Sequence, residues 1–253
     1  MSGLAVAIAT EARKASASFV FRMISVLLLA GTAALAVAMV LALRSGNPQI
    51  IARLAPFGTD EGWPLLINVV DQIAGAGGLI AFAVALSWII GREFVDGTIG
   101  ALFASPVGRN VIASAKLIVF VVWGIATGAV LVLVVTGVGV ALGYGAPGPE
   151  DLVSLGRIFA LLSLSTFVAV PVAWAATLGR GLLPGIAAGV GIVVIAQFGV
   201  VSGAGAWMPL AAPAMWAIAP ETVTLVQLAF TLTVPLVFWP TTVIAWRRMQ
   251  LDR

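Results

Sequence analysis

The side chains able to do chemistry are few, and they gather in two places. Asp71 sits with Asn68 and Gln72 at the start of a long apolar run. An acid inside lipid holds a proton or a cation, or lines a polar pathway, and it normally faces a bundle interior or water. The second group is a polar stretch between two apolar runs: Arg92, Glu93, Asp96, Thr98, Ser105, Arg109 and Lys116. Its chemistry is that of a docking surface or of membrane anchoring. Neither group supplies a nucleophile with a base. The chain has no His and no Cys. Triad hydrolysis, thiolate catalysis, disulfides and Cys or His metal sites are therefore excluded. An intramembrane aspartyl pair needs two acids, and Asp71 is alone in its run.

What must position these groups is set by composition. Of 253 residues, 61% are hydrophobic and 9% charged. Soluble domains carry about 45–50% and about 25%. A chain of this size cannot hide so much apolar surface from water. This excludes a soluble domain, a nucleic-acid reader and a disordered tail, and it leaves the lipid bilayer as solvent. Six continuous apolar runs, at residues 23–43, 65–90, 117–142, 158–178, 182–201 and 223–246, are each long enough to cross as a helix. They do not alternate as barrel strands do. The expected fold is an all-α integral membrane protein of six transmembrane helices. Residues 202–220 carry Pro209, Pro213, Pro220, Gly203 and Gly205, which argues for a re-entrant or interfacial hairpin before the last span. Pro171 and Pro235 should kink spans 4 and 6. Trp63, Trp88, Trp207, Trp239 and Trp246 suit membrane interfaces.

Basic residues orient the chain. Ten of them, Arg13, Lys14, Arg22, Arg92, Arg109, Lys116, Arg180, Arg247, Arg248 and Arg253, fall on one side of a six-span arrangement. Arg44, Arg53 and Arg157 fall on the other, with Asp60, Glu61, Glu150, Asp151 and Glu221. The positive-inside rule then places both termini in the cytoplasm of a cell-membrane protein. A cleaved signal peptide is disfavoured, because its apolar core spans about 7–15 residues and this first run is longer. Residues 4–18 have apolar positions at helical spacing (Leu4, Ile8, Ala12, Ala15, Phe19), which fits either an interfacial helix or a polar flank.

The polar stretch repays closer reading. Val95, Ile99, Leu102 and Phe103 share one helical face, with Glu93, Asp96 and Gly100 off it, and Ser105-Pro106 stops the helix. A short amphipathic helix over 93–104, tied between two spans, either docks in a partner's groove or lies in the headgroups. Asp71 likewise has two readings. It belongs to span 2 and a polar pathway, or span 2 begins later and Asp71 stays among headgroups.

The run Arg92-Glu93-Phe94, Asp96-Gly97-Thr98, Leu102, Ser105-Pro106-Val107, Arg109 and Lys116 resembles the permease subunit of type-2 ABC exporters. The plan of interfacial helix, six spans and re-entrant stretch is similar too. The resemblance implies a membrane-spanning subunit of an ATP-driven exporter, paired with a second permease copy and with a separate ABC ATP-binding subunit. Residues 93–104 would be the coupling helix seated on that subunit. Arg92, Glu93, Phe94, Asp96, Gly97, Thr98, Leu102, Ser105, Pro106 and Arg109 would carry the coupling, and Asn68, Asp71 and Gln72 are candidates for the pathway. The chain has no phosphate-cradling Gly-x-x-x-x-Gly-Lys-Ser/Thr loop. No cofactor is expected on it, ATP and Mg belonging to the partner subunit. The competing expectation is an ion-coupled secondary transporter, which would need ionisable groups near mid-bilayer.

Overall fold

The protein is described by a computed structural model covering residues 3–45, 49 and 61–250. Arg53, Asp60 and Arg253, which enter the charge argument, lie outside the described residues. Among the described residues every regular element is helical. Helix α1 is Gly3–Ala17. It ends at Ser18, whose hydroxyl caps the next helix by accepting from the Phe21 N–H. Helix α2 is Phe19–Arg44, with a wide π turn at Leu27–Gly31. Helix α3 is Trp63–Val95, α4 is Ile99–Phe103 and α5 is Arg109–Ala141. Helix α6 is Pro149–Leu178, α7 is Leu182–Val201, α8 is Ala212–Ile218 and α9 is Leu225–Arg248.

Six of these (α2, α3, α5, α6, α7 and α9) are long and apolar enough to cross a membrane. The chain is an all-α, multi-pass integral membrane protein. At 1.5 Å per residue α3 and α5 are each about 50 Å long, so both outrun a hydrocarbon core of about 30 Å. Their surplus ends carry the polar stretch.

Helix α3 sits at the centre, touching α2, α5, α6, α7 and α8. Lipid supplies no hydrophobic drive between helices, so close contact comes from small residues. A Cβ on Gly189 of α7 would collide with Ala83 of α3, and one on Gly124 of α5 with Thr166 of α6. Helix α6 breaks at Ala169–Val170 because Pro171 has no N–H to continue the ladder. The last span bends earlier than its prolines. Phe230–Leu232 is a tighter 3₁₀ turn, where Pro235 leaves the Thr231 carbonyl without its helical donor.

Within residues 202–220 the proline-broken segment forms 3₁₀ turns at Gly205–Trp207 and Pro220–Thr222 around the short α8. Its Ala214 lies 3.3 Å from where a Cβ on Gly75 would be. That level is about 18 Å along α3 from its start, so α8 dips into the bundle against α3 and α6. Two tryptophans depart from the interfacial expectation. Trp63 is buried edge-on to Tyr144, and Trp246 is fully buried against Phe94 and Phe103. Both find aromatic partners within the fold, which removes them from the lipid surface.

Candidate functional site

The polar stretch forms a compact knot where α3, α4 and α5 meet. Three local features shape it. Helix α3 runs on through Glu93 to Val95 and closes with the Asp96 N–H on the Arg92 carbonyl (2.8 Å). Gly97 then adopts φ +69°, a left-handed conformation that an L side chain enters only with strain. Thr98 follows and donates its hydroxyl to Glu93 Oε2 (2.6 Å). Residues 93–104 are thus divided. The first three finish α3, residues 96–98 turn, and Ile99–Phe103 makes α4. Pro106 prevents further helix, and Ser105 Oγ accepts from the Val107 N–H (3.2 Å) to fix the turn into α5.

Glu93 does not face outward. It is 3% exposed and belongs to a cluster of four alternating charges. Lys116 of α5 donates to Glu93 Oε1 (2.8 Å) and to Glu11 Oε2 (2.7 Å). Lys14 donates to Glu93 Oε1 (3.1 Å) and Glu11 Oε1 (3.0 Å). Lys116 is 1% exposed and spends its third donor on the Ile89 carbonyl (3.2 Å), so all three of its N–H bonds are used. Two acids and two lysines sum to zero charge, the condition under which buried ions are tolerated. Burial lowers the Lys14 ammonium, but Glu11 and Glu93 outweigh it and hold the group above its ordinary range. The cluster pins α1 to the near ends of α3 and α5. The Ser18 hydroxyl reinforces this by accepting from Trp88 Nε1 (3.1 Å).

The other side of the knot holds the end of α9. Phe94 and Phe103 meet the Trp246 ring at 6.4 and 5.8 Å between centroids. Trp246 Nε1 donates to Thr177 Oγ1 at the end of α6 (3.0 Å). Arg109 stacks over Phe103 at 4.1 Å and donates to the Met249 carbonyl (2.8 Å). Gly91 lies against the Gly181–Leu182 backbone, where a Cβ would come within 2.7 Å. The knot thereby touches α1, α3, α5, α6, α7 and α9.

The remaining residues singled out in the sequence divide between two surfaces. Ile99, Leu102 and Phe103 turn inward onto the core, with Val107. Asp96, Gly97, Thr98, Gly100, Ala101, Ala104 and Pro106 are exposed. Val95, expected on the inward face, is 63% exposed, because the turn at Gly97 breaks the helical register that would align it with Ile99. Arg92 lies over the Trp88 ring (6.0 Å), and its Nε is buried without a partner among the described residues. Sequence reasoning missed Glu11 and Lys14 as members of the site, and also Trp246. The only local signal was an acid and a base three positions apart on α1.

Asn68, Asp71 and Gln72 all lie on α3, near the opposite end of the bundle. Asp71 is about 12 Å in from the start of the helix and only 2% exposed. Gln72 Nε2 donates to Asn68 Oδ1 (2.9 Å). Among the described residues Asp71 Oδ1 has no hydrogen-bond partner, and neither has Arg157 Nε on the facing helix α6. A buried acid oxygen without a partner is costly in a purely structural role, which keeps Asp71 as a candidate functional group.

Compared with known families, the sequence matches the one described as ABC-2 family transporter protein over residues 7–198. That stretch contains the four-charge cluster, α4 and Asp71. No curated protein matches the chain.

Proposed function

The chain belongs to the ABC-2 transporter family, and we propose on that premise that it is the membrane-spanning subunit of an ATP-driven exporter. In this reading two permeases form the substrate path, and a separate ATP-binding subunit supplies ATP and Mg chemistry. The observation that carries it is the construction of the knot. Helix α4 commits its apolar face to the core and leaves a small-residue face (Gly97, Gly100, Ala101, Ala104) uncovered beyond the spans. A face without bulky side chains accepts close docking of a partner's helix or groove. The partner moves α4, and the attachments of the knot carry the displacement onward. Glu93 pulls α3, the Ser105–Gly108 turn pulls α5, Trp246 pulls α9, and the four charges pull α1. Asn68, Asp71 and Gln72 line the pathway at the far end. Both termini lie in the cytoplasm, in keeping with the basic residues at the α4 end.

The test is co-purification from the native host in mild detergent, with mass spectrometry of what accompanies the chain. A stoichiometric ATP-binding subunit is expected, and Ala101→Arg on the uncovered face should release it without unfolding the permease. A chain that purifies alone and transports with an ion gradient, indifferent to ATP, overturns the proposal. That outcome would favour the second reading, an ion-coupled transporter, whose supporting observation is the unpartnered oxygen of Asp71. A reporter fused after Arg253 should read cytoplasmic; an external reading would refute the orientation.

A further inference from the structure

An open groove lies between α1, α2 and α5, on the side of α1 away from α3. Its volume is about 650 Å³, inside the range of roughly 300–1,000 Å³ typical of small-molecule sites. The walls are apolar: Ile8 and Ala12 from α1, Val26 from α2, and Val119, Val122 and Trp123 from α5. The depth comes from α1, where Ala12 and Ala15 stand at positions that a leucine would fill. One cation lines the groove. Arg22, one turn past the Ser18 cap, is exposed, and its guanidinium has no partner among the described residues. The Trp123 indole already donates to Ser25 Oγ (3.0 Å), and the Ser16 and Ser25 hydroxyls, which also line the groove, donate to backbone carbonyls of their own helices, so the wall is mainly carbon.

We infer that this groove holds an anionic phospholipid, its phosphate on Arg22 and an acyl chain along Val26, Val122 and Trp123. Three observations favour that occupant. The groove is walled by the first turns of α2 and by residues 118–126 of α5, both helices long and apolar enough to cross a membrane, so it opens where a span meets the headgroups. It is apolar along its length with one cation at the basic end of the bundle, which is the amphipathic pattern of a lipid of that leaflet. Glu11, next to the groove residue Ala12 on α1, and Glu93 are already engaged by Lys14 and Lys116. Arg22 therefore has no neutralising acid from its own chain among the described residues, and the opposite charge must come from outside. An anionic lipid brings its own charge, and it wedges α1 against the spans from the side that the ion cluster leaves open.

The test uses the full chain in nanodiscs of phosphatidylcholine with or without phosphatidylglycerol. Brominated acyl chains on one lipid or the other quench nearby tryptophan, and a Trp123→Phe variant isolates the signal from Trp123. Brominated phosphatidylglycerol should quench Trp123 with about a fivefold preference over brominated phosphatidylcholine, the advantage expected from one arginine near the surface. Arg22→Gln should abolish the preference and leave the quenching itself. Ala12→Leu, at an exposed position, should fill the groove and reduce quenching by both lipids. Equal quenching by both lipids in the unmodified chain would reduce the groove to ordinary annular contact and overturn the inference. So would an unquenched Trp123 with cross-links between copies through Val122, which would give the face to a second permease.

Discussion

Replacing Lys116 with methionine tests the four-charge cluster most directly. The methionine keeps the length and apolar stem of the side chain but removes three donated hydrogen bonds, two of them to carboxylates. Glu11 and Glu93 would then share Lys14 alone, leaving one uncompensated negative charge at a site where Lys116 is 1% exposed. Breaking a buried ion pair from one side costs about 3–5 kcal/mol. Lys14 is 31% exposed and stays in place, so it offsets part of that loss, and the expected cost is near ~3 kcal/mol. For a chain of this size each kcal/mol moves the melting temperature by about 2–4 °C, giving a drop of roughly 6–12 °C. The assay is thermal unfolding in detergent, followed by tryptophan emission and by size-exclusion recovery. Lys116→Met combined with Glu93→Gln restores neutrality, with Glu11 and Lys14 left as a pair. The double variant should melt above the value obtained by adding the two single losses. A single variant that melts within about 2 °C of the parent, or a strictly additive double variant, would refute the cluster as the clamp on α1.

Three further expectations concern single positions. Gly97→Ala places an L side chain at φ +69° and should cost about 1–2 kcal/mol, with coupled ATPase activity of the purified complex falling further than stability; Gly97→Asn, which enters that region readily, should retain stability while its bulk on the docking face still lowers coupled activity. Gly91→Ala and Gly100→Ala should shift melting in opposite directions: the first drives a Cβ to within 2.7 Å of the Gly181 backbone at about 1–3 kcal/mol, whereas the second meets nothing within 4 Å and gains up to ~1 kcal/mol of helix propensity. Asp71→Asn replaces a buried acid whose Oδ1 has no partner among the described residues and should leave stability unchanged or raised while efflux declines; a stability loss of more than about 1–3 kcal/mol would mean that the acid has a structural partner.

Much of the fold was legible because its signals are local. Continuous apolar runs marked the six crossings, and lipid demands internally satisfied backbone, which leaves helices. Pro171 marked the break in α6, and Ser105-Pro106 marked the turn after α4, because proline restricts the backbone wherever it stands. Spacing also grouped Ile99, Leu102 and Phe103 on one face. It placed Val95 there too, since periodicity assumes an unbroken helix and Gly97 interrupts it. Membership of the family was readable in the motif from Arg92 to Lys116.

The contents of the site were not readable in the same way. Lys116 and Glu11 are separated by 105 positions, and no spacing rule reaches that far. Their pairing depends on where α1 crosses α5 once α3 has taken its place in the bundle. Trp246 looked like an interface anchor from its position near the end of a span; its burial depends on Phe94, Phe103 and Thr177 arriving from three other elements. By sequence Asp71 belonged either to span 2 or to the headgroups; its burial and its unpartnered oxygen among the described residues follow from the packing of α6 against α3. The sequence by itself determined the solvent, the crossings and the polar stretch, because hydropathy and backbone restriction are properties of neighbouring residues. Only the tertiary structure decided which charges meet and which stay alone, because an ion pair in a bundle is fixed by the distance between helices.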